Sequence, residues 1–213
     1  SGGGDQTAGT LAVTTPLTNG YHDLPKGKLA NVVTCLEMTE KPKIRGIGFK
    51  PGFELVGADR RDLAAYRALF ADVGRDIMWF SRLVMADAKL AAILADPAYE
   101  PLVLKSEGRA LGILDLDFRE QGQCELAFFG LTPDAVGTGA GGALMDAAIE
   151  RAWARPIKRF WVHTCTYDHP NALGFYRRSG FKPFRFMVEV HDDPRLSGHL
   201  PRQASPQVPL VEA

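Results

Sequence analysis

The chain has 213 residues, of which 46% are hydrophobic and 23% charged, as expected for one globular domain with short appendages. Its 25 Lys and Arg residues balance 25 Asp and Glu residues, which disfavours nucleic acid or an anionic membrane as a partner. No apolar run reaches the roughly 18 residues that predict a membrane span. Three widely spaced cysteines fit neither a disulfide framework nor a metal motif, so a reducing, cytoplasmic location is expected.

Residues 1–50 are predicted to form an N-terminal extension, of which residues 1–9 are expected to be disordered or left over from expression. Turn signals flank one strand-like run in this extension, KLANVVTCLEM at residues 28–38. The sequence leaves open whether this run adds a strand or forms the contact of a homodimer. The main domain is predicted at residues 51–190, and the Pro-rich tail at 191–213 is expected to be extended or poorly ordered.

Within the main domain a short strand, FELV, precedes two predicted helices, the first capped by Asp59 and the second starting at Asp87. Three strands in a meander follow, PLVLK, ALGILDLDF and CELAFFGL. A helix rich in small residues starts at Gly139 and leads to the strand RFWVHTCT. The helix NALGFYRRS and the strand FRFMVEV complete the domain. This order predicts an α+β fold with a C-terminal βαβ crossover.

The stretch LTPDAVGTGAGGALM carries four glycines between residues 137 and 142. Gly137, Gly139 and Gly142 match a dinucleotide-binding G-x-G-x-x-G pattern, but they do not directly follow a strand and no acid lies about 20 residues on. A P-loop is disfavoured because Gly-Ala-Leu stands where Gly-Lys-Ser/Thr is needed. A turn that merely permits tight packing explains one or two glycines. Four glycines at a helix start favour an anion pocket formed by backbone N–H groups.

This stretch resembles the acetyl-CoA-binding motif of the GNAT acyltransferase superfamily, V-x-P-x-x-[RQ]-G-x-G-[IA]-G-x-x-L-[LM]. Further along, NALGFYRRSGF resembles the second signature of that superfamily, A-x-x-x-Y-x-x-x-G-F. With the preceding order of elements, the resemblance covers about residues 53–190. It implies a mixed, mainly antiparallel sheet flanked by helices, in which two parallel strands splay apart to admit acetyl-CoA. It also implies an N-acetyltransferase that passes the acetyl group directly to an amine.

The resemblance further implies which residues contact acetyl-CoA. They are Phe129, Gly130, Leu131, Val136, Gly137, Thr138, Gly139, Ala140, Gly141, Gly142, His169 and Asn171. Main-chain groups of Phe129, Gly130 and Leu131 would pair with the pantetheine and polarise the acetyl carbonyl. N–H groups of residues 137–142, which we call the glycine loop, would hold the pyrophosphate. Val136 departs from the usual Arg or Gln, which predicts weaker or reoriented binding. His169 stands where Asn is usual, with Asn171 displaced, so His169 is expected to contact CoA or acceptor, or to relay a proton through water.

Two catalytic residues are carried over by the same resemblance. Tyr176 matches the general acid that protonates the leaving thiolate, although a tyrosine on such a helix is otherwise a core aromatic. Glu125 matches the general base of one branch of the superfamily. The sequence leaves open whether Glu125 is a buried base, with water in that role as the alternative, or an exposed carboxylate at a strand edge. Asp168, before the second helix, is expected to be a cap.

The acceptor pocket is expected from the first two helices and their connection, at residues 74–87. Trp79 and Phe80 would form an aromatic wall and Arg82 would bind an acceptor carboxylate, or both aromatics would simply fill the core. His163 and Cys165 are interpreted as core residues, and no metal site is predicted. The expected acceptor is a small-molecule amine. The alternative function is a non-catalytic CoA-binding sensor or structural module on the same fold.

Overall fold

The structure is a computed structural model that describes residues 16–212, so the predicted disorder of residues 1–9 lies outside the described residues. The strands are β1 (Lys28–Met38), β2 (Phe53–Gly57), β3 (Tyr99–Ser106), β4 (Arg109–Asp117), β5 (Gln123–Leu131), β6 (Arg159–Cys165) and β7 (Lys182–Asp192). They form one sheet in the order β2-β3-β4-β5-β6-β1-β7, in which only β5 and β6 are parallel neighbours. The predicted α+β class is confirmed.

Within residues 16–212, five α-helices flank the sheet: α1 (Leu63–Gly74), α2 (Ser81–Val84), α3 (Asp87–Ala95), α4 (Ala140–Trp153) and α5 (Ala172–Arg178). The prediction that Asp59 caps α1 is wrong. The cap is Asp62, whose carboxylate accepts the Ala65 N–H at 2.8 Å, while Asp59 accepts the N–H of Arg61 in the preceding turn. None of the helices in residues 16–212 is long and apolar enough to cross a membrane.

The alternation of side chains along the strands places the two larger hydrophobic cores on opposite faces of the sheet. On one face, α1 and α3 pack against Tyr99 and Ile113. On the other face, α4 and α5 pack against Leu36, Leu114 and other buried side chains. The alanines of α4 allow this helix to lie close to the sheet, and Ala148 is fully buried.

Strand β1 lies inside the sheet, although the sequence placed it in an extension before the main domain. It pairs antiparallel with β6 on one side and with β7 on the other. Leu36 in its middle is fully buried in the core beneath α4 and α5. The sheet therefore reaches back to Lys28, and the segment before residue 51 supplies part of the main core.

Strands β5 and β6 separate soon after they begin. They pair only over residues 123–125 and 159–161. Immediately afterwards the pairing of β4 with β5 shifts register, which leaves Ala127 as an extra residue in β5. Such a bulge bends its strand away from the neighbour. The result is a wedge-shaped gap between the later halves of β5 and β6, as the sequence resemblance implied.

The residues after β7 fold back onto the domain, where the Ser205 hydroxyl donates to the carbonyl oxygen of Asp76 at 2.8 Å. The sequence had predicted an extended or poorly ordered tail. Asp193 and Arg195 form a buried ion pair at 2.7 Å. Arg195 also donates to the carbonyl oxygens of Ala204, Val208 and Pro209. One guanidinium thus binds several turns of a proline-rich segment that has few backbone donors of its own.

The connection between β1 and β2, residues 39–52, crosses the face that carries α4 and α5. We refer to it as the crossing segment. A methyl group added at Gly180, after α5, would lie 3.2 Å from Pro42, and the backbone N–H of Ile47 donates to Asp146 of α4 at 2.8 Å. Ile44 and Phe49 pack against the core. The crossing segment therefore runs past α5 and along α4 to the glycine loop.

Candidate active site

A cavity of about 170 Å³ lies between the splayed strands and the connection from α1 to α2. Its lining includes seven of the residues predicted from the sequence: Trp79, Phe80, Arg82, Glu125, Phe129, His169 and Tyr176. Gly130, Leu131, Asn171 and the glycine loop lie outside this lining. Residues separated by almost a hundred positions therefore meet at one site because β5 and β6 part there.

Glu125 is buried at the narrow end of the wedge, with only 7% of its surface exposed. An exposed edge carboxylate, the alternative left open by the sequence, is therefore excluded. Burial, reinforced by the nearby Asp117 carboxylate, raises the pKa of Glu125 to about 8. The carboxyl lies 3.6 Å from Nε2 of His163, whose own pKa is lowered by burial. Glu125 is thus a carboxyl that can gain or lose a proton near neutral pH.

Tyr176 lies on α5 with its ring edge-on to Phe129 of β5 and Phe181, at centroid distances of 6.3 and 6.0 Å. Its side chain lines the cavity together with Phe129. Burial, and to a smaller extent the charge of Asp168, raises the pKa of its hydroxyl. The phenol therefore keeps its proton at neutral pH, which is the state that a general acid requires.

Trp79 belongs both to the core and to the cavity wall, so the two interpretations from sequence are not exclusive. Its ring packs 5.4 Å from Phe70 and 5.2 Å from Phe128. Its Nε1 donates to the Asp168 carboxylate at 3.4 Å, and both residues line the cavity. Side chains cannot be added at Gly74 or Gly130 without contacting Trp79 or Val73 at under 3 Å. Glycines on both sides thus make room for the indole.

Arg82 is 4% exposed and is held in a network beneath the cavity. Its Nη2 donates to the hydroxyl of Tyr99, which donates in turn to Asp115 at 2.6 Å. Tyr66 also donates to Asp115, and burial raises the pKa of this carboxyl to about 6. Of the nitrogens of Arg82, Nε faces no hydrogen-bond partner within the described residues. Two of its nitrogens are therefore engaged beneath the cavity, Nη2 with Tyr99 and Nη1 with Sδ of Met85 at 3.6 Å.

The glycine loop adopts a backbone that ordinary residues rarely take. Gly137 and Gly139 have φ of +82° and +91°, and α4 begins directly after them at Ala140. The Thr138 hydroxyl accepts the N–H of Ala140 at 3.3 Å. Gly142 serves packing, because a methyl group there would lie 2.9 Å from Cδ1 of Ile47 in the crossing segment. The sequence had assigned all four glycines to the cofactor.

The start of α5 differs from its predicted form. Asp168 does not cap the helix; its carboxylate accepts the N–H of Cys165 and the hydroxyl of Thr164 at the end of β6. Asn171 is the residue before the first turn, and its side chain makes no capping bond. Its N–H donates to Nδ1 of His169 at 3.1 Å. His169 is exposed at the rim of the cavity, and its ring orientation is set by this bond.

Several lining residues were missed or misinterpreted from the sequence, among them Asn31, His163, Glu189 and His191. Asn31 is 4% exposed in β1 and donates from Nδ2 to Glu189 at 3.0 Å, while its Oδ1 has no partner in residues 16–212. This bond fixes the orientation of the amide, since a flipped amide would set two oxygens against each other. For Asn31, the only signal in the sequence was a polar residue at an inward-facing position of an apolar strand.

The sequence profile of the acetyltransferase (GNAT) family matches residues 66–181, more than half of the chain. The chain belongs to this family. No protein of curated function matches the sequence.

Solved structures share the GNAT fold at low sequence identity. The GCN5-related N-acetyltransferase from Sphaerobacter thermophilus has a TM-score of 0.55 at 15% identity, covering 76% of this chain and 52% of that one. The GCN5-related N-acetyltransferase from Kribbella flavida has a TM-score of 0.54 at 17% identity, covering 81% of this chain and 63% of that one. The ribosomal-protein-S18-alanine N-acetyltransferase from Escherichia coli has a TM-score of 0.52 at 14% identity, covering 66% of this chain and 93% of that one. The chain thus spans between half and two thirds of the length of the first two relatives. The predicted GNAT fold is confirmed.

Proposed function

We propose that this GNAT acetyltransferase is an N-acetyltransferase that moves the acetyl group of acetyl-CoA directly to an amine of a small molecule. The observation that carries the proposal is the meeting of a carboxyl that titrates near neutrality, Glu125, with a protonated phenol, Tyr176, in one cavity. The two groups supply the base and the acid that an acyl transfer from thioester to amine requires.

The described residues fit acetyl-CoA as the acetyl donor. The backbone of Gly137 and Gly139 turns through left-handed conformations before α4, an arrangement that directs N–H groups towards an anion. The bulged half of β5 faces the gap left by β6, so its main chain is available to the pantetheine and the thioester carbonyl. Phe129, in this half, also lines the cavity with Tyr176. These features support a thioester placed between the phosphate loop and the catalytic pair.

The reaction begins when Glu125 accepts a proton from the acceptor ammonium, directly or through water. The amine nitrogen then attacks the acetyl carbonyl carbon, and a backbone N–H of β5 stabilises the oxyanion. As the C–N bond forms, the C–S bond breaks and the Tyr176 hydroxyl protonates the leaving sulfur. The products are an N-acetylated amine and CoA with a free thiol. The nitrogen that attacked loses its second surplus proton to solvent, so the net reaction releases a proton. The proton held by Glu125 returns through solvent to Tyr176, which restores both groups.

The polar lining of the cavity favours an acceptor that is rich in N–H donors. Asn31 contributes a carbonyl oxygen that has no partner among the described residues, and Glu189 and Asp168 contribute carboxylates. The cation expected to bind an acceptor carboxylate, Arg82, already donates from Nη2 to the hydroxyl of Tyr99. A buried hydrogen-bond acceptor that lacks a partner costs about 1–3 kcal/mol of free energy, and an N–H group of a bound substrate recovers this cost. A primary amine with a further N–H group close by therefore suits the cavity.

The proposal is tested first by calorimetric titration with acetyl-CoA, using NADH and ATP as controls. We expect micromolar binding of acetyl-CoA alone, and a panel of amines screened by thiol release should then identify acceptors. Tyr176→Phe should lower kcat at least about 100-fold, with acetyl-CoA affinity kept within about twofold. Binding of NADH alone would instead support the dinucleotide interpretation of the glycines.

A second candidate is a CoA-binding module without turnover, favoured by Val136 and by the displaced Asn171. In that case acetyl-CoA binds, no amine in the panel releases thiol, and Tyr176→Phe changes nothing. The same pair of measurements therefore separates the two functions.

A further inference from the structure

We propose that Lys50, in the crossing segment, binds the pyrophosphate of acetyl-CoA and supplies the cation that Val136 does not. This inference rests on the proposed use of acetyl-CoA, but it concerns a part of the chain outside both sequence motifs. In the motif that the glycine loop resembles, an Arg or Gln side chain usually stands at the position of Val136. Here that side chain is an apolar group with 53% of its surface exposed.

The crossing segment carries an excess of positive charge to the glycine loop. Residues 39–52 contain Lys41, Lys43, Arg45 and Lys50 but a single acid, Glu40. Arg45 also approaches the loop, since its Nη2 lies 3.7 Å from a methyl group added at Gly142. Its guanidinium, however, lies 3.9 Å from the Asp146 carboxylate of α4 and over the ring of Phe175 of α5. Lys50 is exposed and has no ion-pair partner among residues 16–212. It is thus the cation of this segment that is both close to the loop and available.

The position of Lys50 follows from contacts on both sides of it. Before it, Ile47 is fixed on α4 by its hydrogen bond to Asp146 and by contact with Gly142. After it, the N–H of Phe53 donates to the Lys50 carbonyl at 3.1 Å, and Gly52 has φ of +87°. Proline followed by glycine in this geometry forms a type II turn, which fixes the backbone where the lysine starts.

From this position the side chain reaches the predicted phosphate loop. A methyl group added at Gly139 would lie 4.0 Å from Cε of Lys50, closer to it than to any other residue outside the immediate neighbours of Gly139. Gly139 directly precedes α4, where the positive end of the helix already favours an anion. An ammonium at this distance adds a charge-assisted hydrogen bond to a phosphate placed on the loop. The crossing segment therefore packs against Gly142 and also places the ammonium of Lys50 near Gly139.

The test is calorimetric titration of the full chain and of Lys50→Gln with three thioesters: acetyl-CoA, its 3′-dephospho form, and S-acetylpantetheine, which has no phosphate. We expect Lys50→Gln to weaken acetyl-CoA and the 3′-dephospho form about tenfold each at low salt, and S-acetylpantetheine not at all. Lys50→Arg should restore most of the affinity. Lys158→Gln, a change of an exposed lysine at the closed end of the wedge, should leave all three affinities unchanged.

Each outcome bears on a definite claim. If the wild-type chain binds acetyl-CoA and Lys50→Gln binds it equally well, the role of Lys50 is refuted while the proposed function stands. A loss that disappears with the 3′-dephospho form places Lys50 at the 3′-phosphate and overturns the pyrophosphate assignment. If the wild-type chain binds none of the three thioesters, the proposed function fails and the inference fails with it.

Discussion

Replacing Glu125 by Gln tests the catalytic proposal through both rate and stability. The carboxyl has an ordinary pKa of 4.5, and in the fold burial and Asp117 raise it to about 8. A base with this pKa predicts that kcat/KM of the wild type rises about tenfold per pH unit up to about pH 8 and then levels off. Glu125→Gln should lose about 100- to 10,000-fold in kcat/KM at pH 8, and its remaining activity should not follow this profile.

The same substitution, which lowers the rate, should raise the stability of the fold. Because the pKa of Glu125 is higher in the folded than in the unfolded chain, its contribution to stability is fully present below about pH 4.5 and declines as the pH rises through about 8. The difference between 4.5 and about 8 corresponds to at most about 5 kcal/mol of unfolding free energy. A neutral Gln avoids this loss, so Glu125→Gln should gain stability relative to the wild type between pH 5 and about 9.

Urea unfolding at several pH values measures this gain, and thiol release with an identified acceptor measures the rate. Glu54→Gln is the matched control, because Glu54 is an exposed carboxyl in β2. It should change neither the pH profile nor the pH dependence of stability. A wild-type rate that is flat between about pH 6 and 9, together with an active Glu125→Gln variant, would refute the assignment of Glu125 as the base.

Two further substitutions test how the N-terminal part is built into the domain. Leu36→Ala should lower the unfolding free energy by about 2–5 kcal/mol, because Leu36 is fully buried in the core under α4 and α5; a loss below about 0.5 kcal/mol in urea titrations would mean that β1 is an appendage. Gly142→Val should destabilise the fold and weaken acetyl-CoA binding by pushing Ile47 and the crossing segment away, and Ile47→Ala should partly restore both in a double-mutant cycle; additive effects of the two changes would contradict this contact.

Several features of the protein could be read from local patterns in the sequence. The meander, the glycine loop before α4 and the motif on α5 are contiguous, and each was placed within a few residues because periodicity and turn chemistry act locally. The two motifs also predicted the family and the fold correctly. For the same reason Tyr176 and Glu125 could be singled out, since each stands at a set distance from a recognisable motif.

Only the tertiary structure decided the features that depend on long-range pairing. The strand pattern of residues 28–38 carries no information on its partners, and β1 proved to lie between β6 and β7, which are more than a hundred residues away in the chain. That placement makes residues 39–52 cross the face of α4 and α5, brings Lys50 to Gly139, and puts Asn31 into the cavity. Burial of Glu125 likewise arises from strands that pair across the sheet. Local sequence patterns determine helices, strands and motifs. The pairing of strands and the burial of side chains depend instead on contacts between segments that are far apart in the chain.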